Sequence, residues 1–342
     1  MASGRWQVAG QARFFIHNSL FTIRYSQLPL LLAAWLLIGI GCAALVAAFS
    51  VVMLPHEHAL TGLGVGDLTQ SHGHRLVDYV VHNRVSFGGA LVGCGLLYHW
   101  LITRPLGRGE GWAWYTLALS GGVGVLSFAG YWVKGYVDPL HAGGSVVLAA
   151  AMGWGLWQSW WVTGHGVALP RLSWQKLDMT RLLLTVWAAG NLLGGVAILL
   201  VGVFPVFVAE DLAFLHATLE SFDRGPLLLL PFVAHDRVGF GGALVAGGIA
   251  QLGIVWGSWL EKGENRPLPL GFLAGVWLLG VVTAIGVHPL VGYNSLSHLL
   301  PFLVKDGAFL LGLIGYPLVI ELDEQPEELR WGMSVDVEVR GP

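Results

Sequence analysis

The sequence predicts an all-α, polytopic membrane protein whose eight transmembrane helices form two tandem four-helix bundles. Three observations predict this fold class: an apolar composition, eight long apolar runs and an internal repeat. Of the 342 residues, 55% are hydrophobic and only 11% are charged, whereas an average soluble domain contains roughly 25% charged residues. This composition excludes a soluble enzyme and a disordered protein. The formal net charge of -3 provides no basic surface for a nucleic acid.

Eight apolar runs reach the length of about 20 residues that a helix needs to cross a lipid bilayer. We expect helices because backbone groups in hydrocarbon must bond within their own segment, and because the runs lack the alternation of barrel strands. The runs cover residues 29–54, 82–103, 112–133, 141–162, 181–205, 235–260, 268–288 and 298–320. The 16 tryptophans agree with this environment, since indole rings favour the bilayer interface.

The distribution of charge predicts the orientation of these runs. The first 28 residues contain Arg5, Arg13 and Arg24 and no acidic residue, and the loops after the second, fourth and sixth runs also contain Lys or Arg. The positive-inside rule therefore places both termini in the cytoplasm, and we expect a bacterial inner membrane. The predicted segments are a cytoplasmic or interfacial segment 1–28, a first half 29–162, a linker 163–180, a second half 181–320 and a cytoplasmic tail 321–342.

The two halves of the chain carry the same motif. Residues 82–92 read HNRVSFGGALV and residues 235–245 read HDRVGFGGALV, so that nine of eleven positions are identical at an offset of 153. A weaker match follows, in which a Gly-Tyr pair and a later histidine recur at His141 and His298, 157 residues apart. The repeat predicts two equivalent four-helix units in parallel orientation.

The repeat places four histidines at the outer ends of the even-numbered runs: His82, His141, His235 and His298. Two imidazoles on facing helices at one membrane depth can bind one iron from both sides, as haem proteins show. The alternative is that they are interfacial residues. Structural zinc is disfavoured, because it takes four nitrogen or sulfur ligands and each half offers two. The other nine histidines, His288 among them, are interpreted as loop or interface residues.

Residues near these histidines indicate how a cofactor would be held. Gly89 and Gly242 lie seven residues after a repeated histidine and hence on its helix face, where they would leave room for a porphyrin. Helix packing explains the same glycines equally well. Arg84 and Arg237 would bind haem propionates, or would simply anchor the helix ends at the interface. Lys305, beside an acidic residue in the last run, would contact a cofactor, its acidic neighbour or a proton path.

This architecture resembles the haem A synthase family, over residues 29–320. The resemblance implies one or two haem b groups, with His82 paired with His141 and His235 paired with His298. The family has a glutamate three residues before the first histidine, where this chain has Tyr79. Haem binding therefore carries over better than the synthase reaction, and the candidate catalytic acids are Glu57 and Asp78.

The expected function is accordingly that of a haem-binding, redox-active membrane protein, which modifies haem or transfers electrons from quinol. A second hypothesis is a non-catalytic accessory subunit of a larger membrane complex, in which the repeat serves packing and the partners are other membrane subunits. A carrier for a small polar solute is the third hypothesis, and it has the least support, because the apolar runs contain only weak glycine interruptions.

Overall fold

The computed structural model describes residues 4–50, 54–62, 64, 66, 74–133, 135, 139–161, 163, 179–220, 229–262 and 268–314. These residues form helices and contain no β-strand. The α-helices are α1 (Gly4–Ser50), α2 (Pro55–Thr61), α3 (His74–Thr103), α4 (Gly111–Ser127), α5 (Ala129–Val133), α6 (Pro139–Trp160), α7 (Met179–Val203), α8 (Ala209–Leu215), α9 (Leu229–Lys262), α10 (Leu270–Gly280), α11 (Val287–Val291) and α12 (Leu296–Ile314). A 3₁₀ turn covers Leu106–Arg108, and a π-helical segment, Val281–Ile285, joins α10 to α11.

Seven helical segments in the described part of the chain are long and apolar enough to cross a membrane, which supports a polytopic helical membrane protein. They are Tyr25–Ser50, His74–Arg108, Gly111–Tyr131, Met179–Val203, Leu230–Gly257, Leu270–Val291 and Leu296–Ile314. The predicted fourth run, 141–162, corresponds to α6, which has 22 residues. Its glycine, tryptophan and polar side chains dilute its apolar character, so α6 is not among the seven.

The predicted boundary at residue 28 does not mark a change of structure. Helix α1 runs without interruption through 47 residues, and Pro29 lies inside it. The last 26 of these residues form the first candidate span. The linker is described only at residues 163, 179 and 180, and the predicted tail lies outside the described residues.

The two helices that carry the repeated motif, α3 and α9, form the centre of the molecule. They pack against each other. In the most apolar 18-residue stretch of each candidate span, 72% of the stretch in α3 and 78% of that in α9 is buried, compared with 22–33% in the other five spans. The other helices surround this pair with a pseudo-two-fold relationship. Helix α1 packs on α3 and α6, and its repeat counterpart α7 packs on α9 and α12.

The expectation of two tandem bundles is wrong for the packing of the third helix in each half. Helix α4, from the first half, packs mainly on α9 of the second half, and the segment from α10 to α11 packs on α3 of the first half. The two halves therefore interlock across the central pair. The sequence repeat shows that the two halves are equivalent, but it does not determine whether a helix packs within its own half or against the other.

The first glycine of each repeated Gly-Gly pair allows the central helix of each half to pack closely against the first helix of the same half. A Cβ atom added at Gly88 would lie 2.8 Å from the carbonyl oxygen of Gly41 on α1, and one at Gly241 would lie 2.8 Å from that of Gly195 on α7. Such distances are shorter than any side chain tolerates. Small residues thus bring the helix backbones together, as they do in other membrane helix pairs.

Candidate metal centre

The four repeated histidines form two clusters at one end of the bundle, and each cluster combines residues of both halves. We call the first the His82 cluster; it contains His82, His288 and His298. The second, the His235 cluster, contains His141, His235 and Tyr131. The described residues thus place all four predicted ligands in buried or half-buried positions on helices.

The structure brings the histidines together in different pairs from those that the resemblance implied. His82 lies beside His298, with ring centroids 5.7 Å apart, and His141 lies beside His235, with ring centroids 4.5 Å apart. The reason is the interlocked packing described above, because the third helix of each half lies against the other half's central helix. Each pair therefore takes one histidine from each repeat.

The His82 cluster has the geometry of a metal site. One ligand nitrogen from each of His82, His288 and His298 lies within 4.8 Å of the other two, and the Nε2 atoms of His82 and His288 are 3.1 Å apart. Two nitrogen ligands bound tetrahedrally at about 2.0–2.1 Å from one ion lie about 3.3 Å from each other. Small side-chain adjustments would therefore let all three imidazoles reach a single ion.

Hydrogen bonds at the far side of two of these rings orient their Nε2 atoms. Nδ1 of His82 lies 3.1 Å from Oδ1 of Asn83, and Nδ1 of His288 lies 3.3 Å from the carbonyl oxygen of Ile285. A proton on each Nδ1 would leave the Nε2 lone pairs free for a metal, which is how outer-shell partners position histidine ligands. Ile285 ends the π-helical segment, a feature frequently found at functional sites.

Aromatic rings pack beside the third ligand. Tyr293 is stacked on His298 with ring centroids 4.7 Å apart, and Phe214 is stacked on Tyr293 at 4.6 Å. The Tyr293 hydroxyl donates to Oδ1 of Asp211 at 2.9 Å. Burial, together with the Asp211 carboxylate, raises the pKa of the Tyr293 phenol above its ordinary value, so the phenol stays a donor at neutral pH.

Each half also contains a buried carboxylate that pairs with the repeated arginine. Arg84 donates to Glu57, with nitrogen and oxygen 2.5 Å apart, and Arg237 donates to Asp211 at 2.7 Å. Both acids also accept a hydrogen bond at 2.7 Å from the backbone N–H that precedes their short helix, at Leu54 and Val208. Both guanidinium groups are thus bound to a carboxylate of the protein.

Sequence reasoning missed Asp211, although its signal was present. Glu57 and Asp211 are 154 residues apart, one residue more than the repeat offset of 153. Glu57, one of the two predicted catalytic acids, is buried beside the His235 cluster. The other, Asp78, is half-buried on α3 and lines neither cavity described below.

The aromatic residues that replace the family's glutamate have a defined place. Arg84 lies over the Phe232 ring and Arg237 over the Tyr79 ring, each with the guanidinium carbon 5.6 Å from the ring centroid. Tyr79 and Phe232 are repeat equivalents, 153 residues apart. The arginine of each half therefore contacts the aromatic residue of the other half. Arg84 makes a cation–π contact with Phe232, and Arg237 also donates a hydrogen bond to the Tyr79 hydroxyl.

The second glycine of each Gly-Gly pair serves helix packing. A Cβ atom at Gly89 would lie 1.9 Å from Oγ1 of Thr283, and one at Gly242 would lie 2.0 Å from Oγ of Ser127. Thr283 and Ser127 belong to the helices that cross over from the opposite half. Of the two interpretations of these glycines, the structure supports packing, since a side chain occupies the space that a porphyrin would need.

The two clusters do not fit haem in the described arrangement. Imidazoles on opposite faces of one iron would have ring centroids about 6 Å apart, with the iron and the porphyrin plane between them. The His141 and His235 rings are too close for this, in edge-to-face contact at 4.5 Å. The His82 and His298 rings are 5.7 Å apart, near the required separation, but Nε2 of His288 lies 3.1 Å from Nε2 of His82, so a third imidazole occupies the space beside that ligand atom. The residues of the His82 cluster fit a metal ion instead.

A cavity of about 290 Å³ lies beside the His235 cluster, and a smaller one of about 170 Å³ lies beside the His82 cluster. The larger is lined mainly by apolar side chains of α1, α3 and α6, with Glu57, Arg84, His141, His235 and Asp236 at its polar end. The smaller is lined by the equivalent Arg237, His82 and His298, and also by Phe302.

Lys305 lies apart from the histidines of both clusters. Its ammonium group donates to Asp306 at 2.7 Å and lies 5.5 Å from the centroid of the Phe302 ring. The pair lines a narrow space of about 60 Å³ together with Asn191 and Gln251. Of the alternatives for Lys305, the structure shows the ion pair with its neighbour.

Comparisons with known proteins identify no relative. The chain matches no protein-family model, no curated protein and no solved structure.

Proposed function

We propose that this protein is an integral membrane metalloprotein that binds one transition-metal ion through His82, His288 and His298. The observation that carries the proposal is the convergence of three imidazole nitrogens within 4.8 Å. Two of the three histidines are buried, and the third is half-buried.

Three features support a metal ion over a purely structural histidine cluster. Three neutral imidazoles with no acid among them form a typical ligand set for zinc, copper, iron or nickel. Bonds to Asn83 and to the carbonyl of Ile285 fix the rings of two ligands. Three protein ligands leave a fourth position for water or a substrate, as in catalytic rather than structural zinc sites.

The metal determines which chemistry the site would supply. Copper or iron would make the protein redox-active, as the resemblance to haem A synthase implied, whereas zinc would act as a Lewis acid. The chain's contribution is to hold the ligands in a buried environment with Tyr293 stacked over His298. Access to the fourth position would be from the 170 Å³ cavity, which both His82 and His298 line.

The test is metal analysis of the detergent-purified protein, together with its absorption spectrum. We expect about one transition-metal ion per chain in the wild type, and loss of most of it in His288→Ala and His298→Ala. His99→Ala is the matched control, because His99 lies near the other end of α3 against Trp35, with ring centroids 5.3 Å apart. Monodisperse elution in size-exclusion chromatography would confirm that each variant is folded.

Two results would overturn the proposal. A Soret band lost in His298→Ala would assign the cluster to haem and require the rings to separate. A wild-type protein that neither contains metal nor takes up Co²⁺, Cu²⁺ or Zn²⁺ would refute the site. Co-purification of such a metal-free chain with other membrane subunits would favour the accessory-subunit hypothesis.

A further inference from the structure

The 290 Å³ cavity beside the His235 cluster has an apolar body and a polar end. Its apolar walls come from Leu37 on α1, Phe87 and Leu91 on α3, and Leu148 on α6. This volume is at the lower end of the range of about 300–1,000 Å³ that small-molecule sites occupy. Its size and lining suit the ring of a lipid-soluble molecule.

The cavity reaches the outer surface of the helix bundle between α1 and α6. Among its lining residues, Ile40 on α1 is 43% exposed and Leu140 on α6 is 64% exposed. Because Ile40 belongs to a candidate membrane span, this exposed face of α1 would contact lipid. A ligand dissolved in the bilayer could enter from the side without crossing water.

The polar end offers hydrogen-bonding groups of both kinds. His141 and His235 can donate or accept through their ring nitrogens, and Arg84 is a donor. The carboxylates of Glu57 and Asp236 are acceptors. A molecule with an oxygen that accepts a hydrogen bond in one redox state and donates one in the other would find partners here in both states.

The cavity beside the His82 cluster is smaller and has a larger side chain at one equivalent lining position. Ser145, which lines the larger cavity, corresponds to Phe302 in the smaller one, at the same offset of 157 that relates His141 to His298. A small residue therefore lines the larger cavity beside the His235 cluster, whereas an aromatic ring lines the smaller cavity beside the His82 cluster.

We propose that the larger cavity binds a quinone or quinol, with the ring at the polar end and the tail extending between α1 and α6 into lipid. This site goes beyond the proposed metal site and does not rest on it.

The test compares decyl-benzoquinone with decylbenzene, which has the same tail but no oxygen, as ligands of the detergent-purified full chain. We expect the quinone to raise the melting temperature by about 5 °C at a concentration about 100-fold above its Kd. Decylbenzene should produce no comparable shift. His141→Leu should weaken quinone binding by about tenfold, the effect of losing one hydrogen bond.

Two adjacent glycines provide a matched pair of variants. Gly144 lines the cavity and Gly143 does not, yet both are exposed, and a Cβ atom at either would meet no atom within 4 Å. Gly144→Leu should abolish most of the quinone-induced shift, whereas Gly143→Leu should preserve it. Ser145→Phe, which copies the second half, gives an independent means of filling the cavity.

Neither glycine belongs to the His82 cluster, so both variants should keep the metal content of the wild type. Failure of quinone binding can therefore be distinguished from failure of the metal site. Three outcomes would overturn it: no shift with the quinone, an equal shift with decylbenzene, or equal shifts in Gly143→Leu and Gly144→Leu. The second outcome would assign the cavity to an acyl chain.

Discussion

The Nε2 atoms of His82 and His288 lie 3.1 Å apart, although 206 residues separate them in the chain. Their contact depends on the crossing of the segment from α10 to α11 onto α3, the central helix of the other half. The π-helical segment just before His288 contributes the carbonyl of Ile285 that holds the His288 ring. The candidate metal centre is therefore a product of the interlocked packing of the two halves.

Asn83 should control metal affinity without being a ligand. Its side-chain oxygen faces Nδ1 of His82, so Asn83→Ala should lower the affinity about 10–100-fold, as loss of an outer-shell partner generally does. Asn83→Asp should retain most of the affinity, because a carboxylate accepts the same bond and because Asp236 is the natural residue at the repeat position. Competition with a chromogenic chelator measures both values. Equal affinities for wild type and Asn83→Ala would refute this role.

The helical fold and the position of the repeated histidines at one end of the bundle could be predicted from the sequence, because both depend on local signals. Apolar runs identify spans, and the motif at His82 and His235 marks equivalent positions. The pairing of the histidines could not be predicted, because equivalent halves can form whether the third helix packs within its own half or against the other half. His288 was missed for a related reason: its repeat equivalent is Tyr131, so the duplication gave it no support.

The glycines illustrate a second limit of sequence reasoning. The Gly-Gly pairs beginning at Gly88 and Gly241 indicated a face without side chains, but a porphyrin and a neighbouring helix require the same absence. Only the position of Thr283 against Gly89, and of Ser127 against Gly242, distinguishes the two. Glu57 and Asp211, in contrast, could have been paired with the repeated arginines, because they precede Arg84 and Arg237 by nearly equal separations of 27 and 26 residues.

Gly89→Ala should destabilise the protein by about 1–3 kcal/mol, because its new methyl group would overlap the Thr283 side chain in a packed interface. Thr283→Gly should relieve that overlap, so the double variant should be more stable than the sum of the single effects predicts. Chemical denaturation in detergent gives the free energies of unfolding. The control is Gly143→Ala, where a Cβ atom meets nothing within 4 Å. Strict additivity in the double-mutant cycle would show that Gly89 and Thr283 do not pack together.

Tyr293 should make the stability of the protein depend on pH in the alkaline range. Its pKa in the folded protein is raised by burial and by Asp211, so above pH 10 the unfolded chain loses this proton while the folded chain keeps it. The unfolded state then binds fewer protons, and stability falls as pH rises, by up to about 1.4 kcal/mol per pH unit. Tyr293→Phe should remove this part of the slope. Denaturation curves between pH 8 and pH 11 measure the difference, and identical slopes in both proteins would contradict the assignment.

The interlocked packing can be tested with an engineered disulfide between the halves. Gly124 on α4 and Ala246 on α9 face each other, and a Cβ atom built at Gly124 would lie 3.4 Å from Cβ of Ala246. Cβ atoms joined through a disulfide are about 3.5–4.5 Å apart. In a background in which Cys42 and Cys94 are replaced by Ala, the pair Gly124→Cys and Ala246→Cys should therefore form a bond upon mild oxidation.

A protease site inserted into the linker 163–180 allows the disulfide to be detected by gel electrophoresis. After cleavage, the oxidised double variant should migrate at full length in a denaturing, non-reducing gel and separate into two fragments upon reduction. Gly122→Cys combined with Ala246→Cys is the control, because Gly122 is exposed and a Cβ atom there meets nothing within 4 Å. Two independent four-helix bundles would place α4 away from α9, so separation of the oxidised Gly124 variant into halves would show that the third helices pack within their own half.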